Sequence, residues 1–209
     1  MATTQPIRCP HQVANFLAYY QSKGEIRNHL LLNLGVYTAL RISDILRLST
    51  NDVYHFHNGT ATVRKVLHIT EQKTKKSKTL ALNNQLINVL QDYLPEVKPN
   101  TPLMLNYRTG KAISRIQAYR LIQAAATAVG IAEKVSCHSL RKTFGYHAWK
   151  MGVSPAILLE IYNHSSLAIT RKYLGVTQCE IDAVHLEMCF EYKPIRNHMT
   201  YTKHTSSFM

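Results

Sequence analysis

The chain has 209 residues, and 45% of them are hydrophobic, which is enough for one sizeable domain with a buried core. Lys and Arg number 25 against 12 Asp and Glu, and this net charge of +13 indicates a polyanionic partner, with a basic protein of no nucleic-acid role as the alternative. No apolar run approaches the roughly 20 residues that span a bilayer, and residues 1–10 lack the apolar stretch of a secretory signal, so we expect neither a membrane span nor a signal. The four cysteines form no C-x-x-C pair, so we expect ordinary thiols and no disulfides.

Helical periodicity dominates the first fifty residues. Apolar residues spaced three or four apart predict helices over 11–23 and 26–37, with Gly24 as the stop between them. The second helix is too apolar to face water on every side, so we expect it to be buried. Ser43 is expected to cap a third helix, with Asp44 in its first turn.

The pattern changes between residues 60 and 82. The β-branched stretch 60–70 and the segment 79–82 predict two strands around a basic turn. The turn contains no glycine, so its geometry is left open. The chain is therefore predicted to be mainly α with a small antiparallel β-sheet, an α+β fold. Further helices are predicted over 84–94, 114–129, 138–150, 156–162 and 177–190.

A cation is placed in the turn between two apolar helices, at Arg41. Such a charge is costly to bury and needs an anionic partner. Asp44, three residues on, is the candidate to hold the guanidinium by a bidentate contact. The alternative is an ordinary buried ion pair with no further role.

The turn between the two predicted strands carries four lysines, at Lys73, Lys75, Lys76 and Lys78. Lysines on a strand edge often only keep that edge soluble. The functional interpretation is a hairpin that reaches into a DNA groove, and the turn alone does not decide between the two.

Histidine and arginine recur in the second half of the chain. His138 and Arg141 are three residues apart and share one helix face, an arrangement that suits an oxyanion or is simply a polar face. His164 precedes Tyr173 by nine residues, so the two would face apart on one continuous helix. They converge only if the helix is broken between them or Tyr173 lies on a mobile segment.

Metal and nucleotide chemistry are not indicated. The eleven histidines form no H-x-x-x-H or H-E-x-x-H pair, and no Cys/His pair has ligand spacing. No glycine-rich phosphate loop is present either. We therefore expect no cofactor.

Three segments together resemble the tyrosine recombinases, the phage integrase family. T-A-L-R-I-S-D-I-L at 38–46 is similar to the first arginine motif of the family, and H-S-L-R-K-T-F at 138–144 to the second. N-H-S-S-L-A-I-T-R-K-Y-L-G at 163–175 is similar to its nucleophile segment. The resemblance covers about residues 10–176 and implies the catalytic-domain fold of that family.

The resemblance also implies how the scissile phosphate is held. Arg41 and Arg141 would grip it, and His138 and His164 would orient it and share protons. Two fixed guanidinium forks match the non-bridging oxygens on which charge gathers during in-line attack.

The remaining roles concern the bonds that form and break. Tyr173 would attack the phosphate and form a 3′-phosphotyrosyl link, and Lys73 would protonate the departing 5′ oxygen. Asp44 would be a support behind the first arginine. The link conserves the energy of the phosphodiester, so neither ATP nor a metal is expected.

The partners that the resemblance implies are double-stranded DNA and further copies of the chain, without a membrane. A homo-tetramer on DNA is expected, with a location among the DNA of the cytoplasm. The helix 177–192 would dock on a neighbouring subunit or pack on its own core, and 193–209 would be a loose tail. The DNA contacts expected outside the catalytic set are Lys75, Lys76, Lys78, Lys142, Arg171 and Lys172.

The chain departs from the family in three respects. Tyr162-Asn163 stands where Leu-Gly is common, and the hairpin lacks its usual glycine. The chain has no room for the N-terminal clamp domain of most relatives, so it is expected to be a single catalytic domain or a fragment. Two other functions stay open, a non-cleaving DNA-binding regulator on the same scaffold and a type IB topoisomerase.

Overall fold

The computed structural model describes residues 4–164 and, beyond them, six single residues: Ser166, Ala168, Thr170, Gln178, Asp182 and Leu186. The chain divides into two compact units, Met1–Gly175 and Val176–Met209. The three residues described in the second unit are helical, and Gln178 Nε2 donates a hydrogen bond to Asp182 Oδ1 at 2.8 Å. The rest of the helix predicted over 177–190 lies outside the described residues.

The first unit is mainly helical, as predicted. The prediction over 11–23 is divided, because α1 ends at Ala18 and a separate turn of 3-10 helix covers Gln21–Lys23. Helix α1 covers Pro10–Ala18. The other α-helices in the described part are α2 Ile26–Tyr37, α3 Ile42–Ile45, α4 Thr50–Val53, α5 Asn84–Tyr93, α6 Arg115–Ala128, α7 Cys137–Lys150 and α8 Pro155–Tyr162.

The predicted cap of α3 is wrong by two residues. Arg41 is the N-cap, with the extended ψ of 146°, and its carbonyl oxygen accepts hydrogen bonds from the backbone N–H groups of Asp44 and Ile45. Ser43 lies inside the helix. The consequence is that Arg41 sits at the junction where the chain turns, with its side chain directed out of the helix end.

Antiparallel hairpins make up the β-structure of the described residues. The strands are β1 Tyr54–His57, β2 Thr60–Val63, β3 Val66–Thr70, β4 Ser77–Ala81, β5 Leu105–Asn106 and β6 Lys111–Ala112, paired β1–β2, β3–β4 and β5–β6. The predicted hairpin around the basic turn is β3–β4, in which Thr70 pairs with Ser77.

The strand predicted over 60–70 is in fact two strands. Its first part pairs back onto Tyr54–His57 through a two-residue turn at Asn58-Gly59. Both turn residues have positive φ, 47° and 76°, as a tight hairpin that follows the right-handed strand twist requires. Asn-Gly is a strong hairpin signal, so this turn was predictable from the sequence although only one strand was expected here.

Helix α2 is the centre of the first unit and is buried along most of its length, as predicted. Leu30 and Leu34 pack with α5 and the hairpins, whereas Leu32 and Val36 pack with α1, α6 and α7. At Gly35 an added Cβ would collide with the side chain of Leu140, so this glycine allows α7 to approach closely. The close approach places the first turns of α7 against the end of α2.

Of the helices that the structure describes, none combines the length and the apolar character that crossing a bilayer requires.

Candidate active site

A cavity of about 620 Å³ opens where the start of α3, the β3–β4 turn, the starts of α6 and α7 and the end of α8 meet. No carboxylate is among the described residues that line it. Such a lining suits a phosphate group, because the positive charges of the lining attract an anion and its hydrogen-bond donors face the same space. The charged and imidazole side chains of the lining are Arg41, Lys73, Lys76, Arg115, His138 and His164.

Arg41 is held in the cavity wall by a buried glutamate. Its Nη1 donates a hydrogen bond to Glu71 Oε2 at 2.8 Å, and the two side chains are 15% and 0% exposed. Thr74 Oγ1 donates to the same oxygen. Burial alone would raise the pKa of Glu71, but the hydrogen bonds from Thr74 and Arg41 and the charge of Arg41 outweigh it, and that pKa is lowered. Glu71 therefore stays ionised and fixes the guanidinium.

The expectation that Asp44 holds this guanidinium is wrong. Asp44 is buried, and its Oδ1 accepts a hydrogen bond from the backbone N–H of Gln72 at 2.9 Å. Its place in the first turn of α3 faces the hairpin, while the Arg41 side chain leaves the helix end toward Glu71. Asp44 thus fixes the residue between Glu71 and Lys73, and a supporting role through the hairpin stays a prediction.

The β3–β4 turn presents lysines to the cavity without a glycine. Lys73 and Lys76 are exposed and line the cavity, and Lys75 is exposed as well. Lys75 itself adopts the left-handed conformation, with φ of 59°, and its N–H donates to the Glu71 carbonyl at 2.9 Å. The missing glycine is therefore replaced by a lysine in the strained position.

Lys78 and Lys142, both predicted to contact DNA, are directed inward instead. Lys78 Nζ donates to the carbonyl of Ile161, and its pKa is lowered to about 8 by burial and by the nearby charge of Arg141. Lys142 is 8% exposed and donates to the carbonyl of Thr4 at 2.6 Å. The first lysine ties the hairpin to α8, and the second ties the N-terminal segment to α7.

His138 and Arg141 lie on the first turns of α7. His138 lines the cavity, whereas Arg141 is buried and does not. His138 is exposed to it, and partial burial and the charges of Arg115 and Arg141 lower its pKa. Arg141 is 1% exposed and donates from Nη2 to the carbonyl of Tyr162 at 2.7 Å and from Nη1 to the carbonyl of Ala39. Ala39 has a φ of 54°, a strained value for a residue with a Cβ, within the T-A-L-R motif.

His164 follows the end of α8 in a connection between helical segments. Asn163 ends the helix in the left-handed conformation, with φ 51° and ψ 40°, and Ala168 is helical again. Asn is, after Gly, the residue that most readily takes this conformation. Asn163 therefore ends the helix in the same way as the glycine that is common in the family at this position. As a result, His164 and Ala168 are not on one continuous helix.

The imidazole of His164 is neutral at neutral pH. Burial and the charges of Arg141 and Arg41 lower its pKa from 6.5 to about 4. Its Nδ1 lies 3.1 Å from Thr170 Oγ1, which keeps the ring in place.

Four of the six expected catalytic residues thus line one cavity: Arg41, Lys73, His138 and His164. Arg141 is buried and does not line it, but its guanidinium is hydrogen-bonded to the carbonyl of Tyr162, which precedes the lining residues Asn163 and His164. Tyr173, Arg171 and Lys172 lie outside the described residues. Sequence reasoning missed Glu71, Arg115 and Tyr162. Arg115 had a signal, because an arginine directly after the helix cap Ser114 opposes the helix dipole and needs another reason to be there.

Comparison with known proteins identifies the family. A model of the phage integrase family matches residues 9–179. The chain therefore belongs to the phage integrase family, the tyrosine recombinases. It is 39% identical to the probable integrase/recombinase YoeC of Bacillus subtilis over 178 residues, which cover 85% of this chain and 93% of YoeC. It spans little more than half the length of other curated tyrosine recombinases that it matches.

Solved structures support the fold class. The crystal structure of XerA recombinase matches with a TM-score of 0.71 at 17% identity, over 92% of this chain and 66% of that one. XerH site-specific recombinase, in a post-cleavage complex with its palindromic difH substrate, matches with a TM-score of 0.70 at 21% identity, over 88% of this chain and 53% of that one. The predicted fold class, mainly α with a small antiparallel β-sheet, is confirmed, and the described residues form three two-stranded sheets rather than one.

Proposed function

We propose that this chain is a site-specific DNA recombinase that cleaves and rejoins DNA strands through a 3′-phosphotyrosyl link to Tyr173. One observation carries the proposal: Arg41, His138 and His164 line a single cationic cavity in a chain of the phage integrase family. These residues come from three separate parts of the sequence, and a structural role alone would not require them to meet around an open cavity.

The cavity supports in-line attack on a phosphodiester. Negative charge grows on the non-bridging oxygens in the transition state, and preorganised donors stabilise it without reorganisation. Arg41 is already oriented by Glu71, and Arg141 by two backbone carbonyls. Removing one donor of this kind lowers the rate by about 10²–10³.

The proton balance follows from the same groups. The Tyr173 oxygen forms a bond to phosphorus as the bond to the 5′ oxygen breaks, and Lys73 supplies the proton that the 5′ oxygen takes up. The surrounding cations favour the phenolate. The lowered pKa values leave the imidazoles of His138 and His164 unprotonated at neutral pH, so one of the two can accept the single phenol proton as the bond to phosphorus forms. Rejoining reverses these steps without ATP.

The proposal extends to the assembly. Double-stranded DNA is the substrate, and a homo-tetramer on DNA is the active form, with 177–192 docking between subunits and the chain acting on DNA in the cytoplasm. The core 10–176 would act as a single catalytic domain. Support for DNA as the partner comes from the charge of +13 and from XerH, which was solved with its DNA substrate.

A nicked duplex library tests the function without knowledge of the target site. Each duplex carries a randomised region and a nick placed so that cleavage releases a short fragment and traps the protein on DNA. Denaturing gels then isolate covalent adducts for sequencing. We expect the wild type to enrich one sequence class, Tyr173→Phe to give no adduct, and the matched variant Tyr107→Phe, at an exposed tyrosine away from the cavity, to match the wild type.

Two results would contradict the proposal. DNA binding without any adduct would indicate the non-cleaving regulator. Adducts without sequence preference, together with relaxation of a supercoiled plasmid, would indicate a topoisomerase of type IB.

A further inference from the structure

Tyr162 and Arg141 exchange hydrogen bonds next to Asn163 and His164, which line the cavity. Tyr162 is the last residue of α8 and is fully buried, and its Oη donates to the carbonyl oxygen of Arg141 at 2.8 Å. In return, Arg141 Nη2 donates to the carbonyl oxygen of Tyr162 at 2.7 Å. Each side chain therefore holds the backbone of the other, and the two hydrogen bonds join α7 to the end of α8.

The ring of Tyr162 contacts two of the proposed phosphate-binding residues. Arg141 Cζ lies 4.5 Å from the ring centroid, within the range of a cation–π interaction. The imidazole of His164 stacks on the same ring at 5.0 Å between centroids and 21° between planes. One aromatic side chain thus sets the relative position of a guanidinium and an imidazole that belong to different elements.

The fold leaves room for this tyrosine at a particular glycine. A Cβ at Gly145, on α7, would collide with the hydroxyl of Tyr162. The hydroxyl therefore reaches the α7 backbone only because residue 145 has no side chain. The tyrosine that stands here in place of the common leucine is thus matched by a glycine on the facing helix.

We infer that Tyr162 is a positioning residue that holds Arg141 and His164 in their catalytic arrangement. The inference rests on the proposed function for the roles of these two residues. Tyr162 does not touch the phosphate; it acts through its neighbours, by restricting the guanidinium of Arg141 and by covering one face of the His164 imidazole. Displacing catalytic groups by about 1 Å can lower a rate by about 10²-fold, so such a support affects the rate of cleavage.

Three variants separate the parts of the contact. Tyr162→Phe keeps the ring and removes only the hydrogen bond to Arg141, whereas Tyr162→Leu removes the ring. Tyr107→Leu makes the same change at an exposed tyrosine and is the matched control. Single-turnover cleavage is measured on a nicked duplex of the enriched sequence, non-covalent DNA affinity on the intact duplex, and the titration of His164 by NMR.

We expect Tyr162→Leu to cleave more slowly, by up to about 10²-fold, with DNA affinity nearly unchanged. Tyr162→Phe should lose less than about tenfold, the size of one neutral hydrogen bond. In Tyr162→Leu the pKa of His164 should rise toward its ordinary value, because water then reaches the imidazole. Wild-type cleavage and an unchanged His164 titration in folded Tyr162→Leu would overturn the inference.

Two further measurements do not depend on the stability of the Leu variant or on cleavage. In the wild type, the ring current of Tyr162 must move the His164 ring protons upfield, and resonances at ordinary positions would overturn the stacking. Orthovanadate, a phosphate-like oxyanion, should bind Tyr162→Phe as it binds the wild type. A wild type that shows the upfield shift and binds orthovanadate but forms no DNA adduct would contradict the proposed function and leave the positioning role supported.

Discussion

The guanidinium of Arg41 and the carboxylate of Glu71 form an ion pair at 2.8 Å that joins the start of α3 to the turn of the β3–β4 hairpin. Glu71 is fully buried, whereas Arg41 keeps a face toward the cavity. The hairpin that carries Lys73 is therefore fixed relative to the first arginine by a charged contact. Through this ion pair, the loop that carries Lys73, the proposed general acid, becomes part of the proposed phosphate site.

Glu71→Gln should separate binding from catalysis. The change removes the charge that orients Arg41 and should destabilise the fold by about 1.5–3 kcal/mol, the range for hydrogen bonds to charged groups. Because the cavity becomes more positive, non-covalent DNA affinity should rise while the cleavage rate falls. Glu133→Gln is the control. Parallel losses of affinity and rate, measured by gel shift and single-turnover cleavage, would contradict this role.

The general acid can be identified by changing the leaving group. Lys73→Met should cleave ordinary DNA far more slowly than the wild type, since the 5′ oxygen then lacks its proton donor. A duplex with sulfur in place of that 5′ oxygen should restore the rate, because a thiolate leaves without protonation. Lys98→Met, at an exposed lysine that does not line the cavity and is not expected to contact DNA, should behave as the wild type on both substrates. If sulfur rescues Lys76→Met or Lys78→Met and not Lys73→Met, the assignment is wrong.

Two lysines that looked equivalent in the sequence should differ in salt dependence. Lys76→Met should reduce the slope of log affinity against log salt by about one, as expected for the loss of one phosphate contact. Lys142→Met should leave that slope unchanged and lower the melting temperature, because Lys142 is bonded to Thr4 inside the fold. An unchanged slope in the first variant, or a changed slope in the second, would contradict the corrected assignment.

The stability of the fold should fall as the pH drops from 6.5 to about 4. Over this range the unfolded chain takes up a proton at His164 that the folded chain, with its lowered pKa, does not, so protonation favours unfolding. Below the folded pKa this contribution is constant. Urea unfolding across the range should therefore show a smaller loss in His164→Asn than in the wild type. Equal losses would show that His164 is not held neutral by its surroundings.

The elements that the sequence predicted well are those in which local signals agree. Helix α8 has a cap at Ser154, a proline in its first turn and an apolar face, and its predicted bounds agree with the structure within about a residue. The β1–β2 hairpin was missed although Asn58-Gly59 marks it, because the β-branched run after it suggested one long strand. The local sequence pattern thus predicts that a segment is helical or extended, but it does not show where a long extended segment is divided into two strands.

The site was predictable as a set of residues and not as a set of contacts. The family motifs indicated Arg41, His138 and His164, which line the cavity. No motif indicated that Glu71 holds Arg41, because the pairing joins distant parts of the chain and depends on how the hairpin packs. The inward direction of Lys78 likewise depends on the register of β4, which residue types alone do not fix.

The proposal that Tyr173 becomes covalently joined to DNA is tested most directly by locating the attached DNA on the protein. The covalent adduct from the nicked duplex is digested with nuclease and protease, and tandem mass spectrometry identifies the peptide that carries a nucleotide. If the proposed 3′-phosphotyrosyl link forms, a single nucleotide is joined through its 3′ phosphate to Tyr173. Attachment to any other residue, or an adduct that persists in Tyr173→Phe, would contradict it.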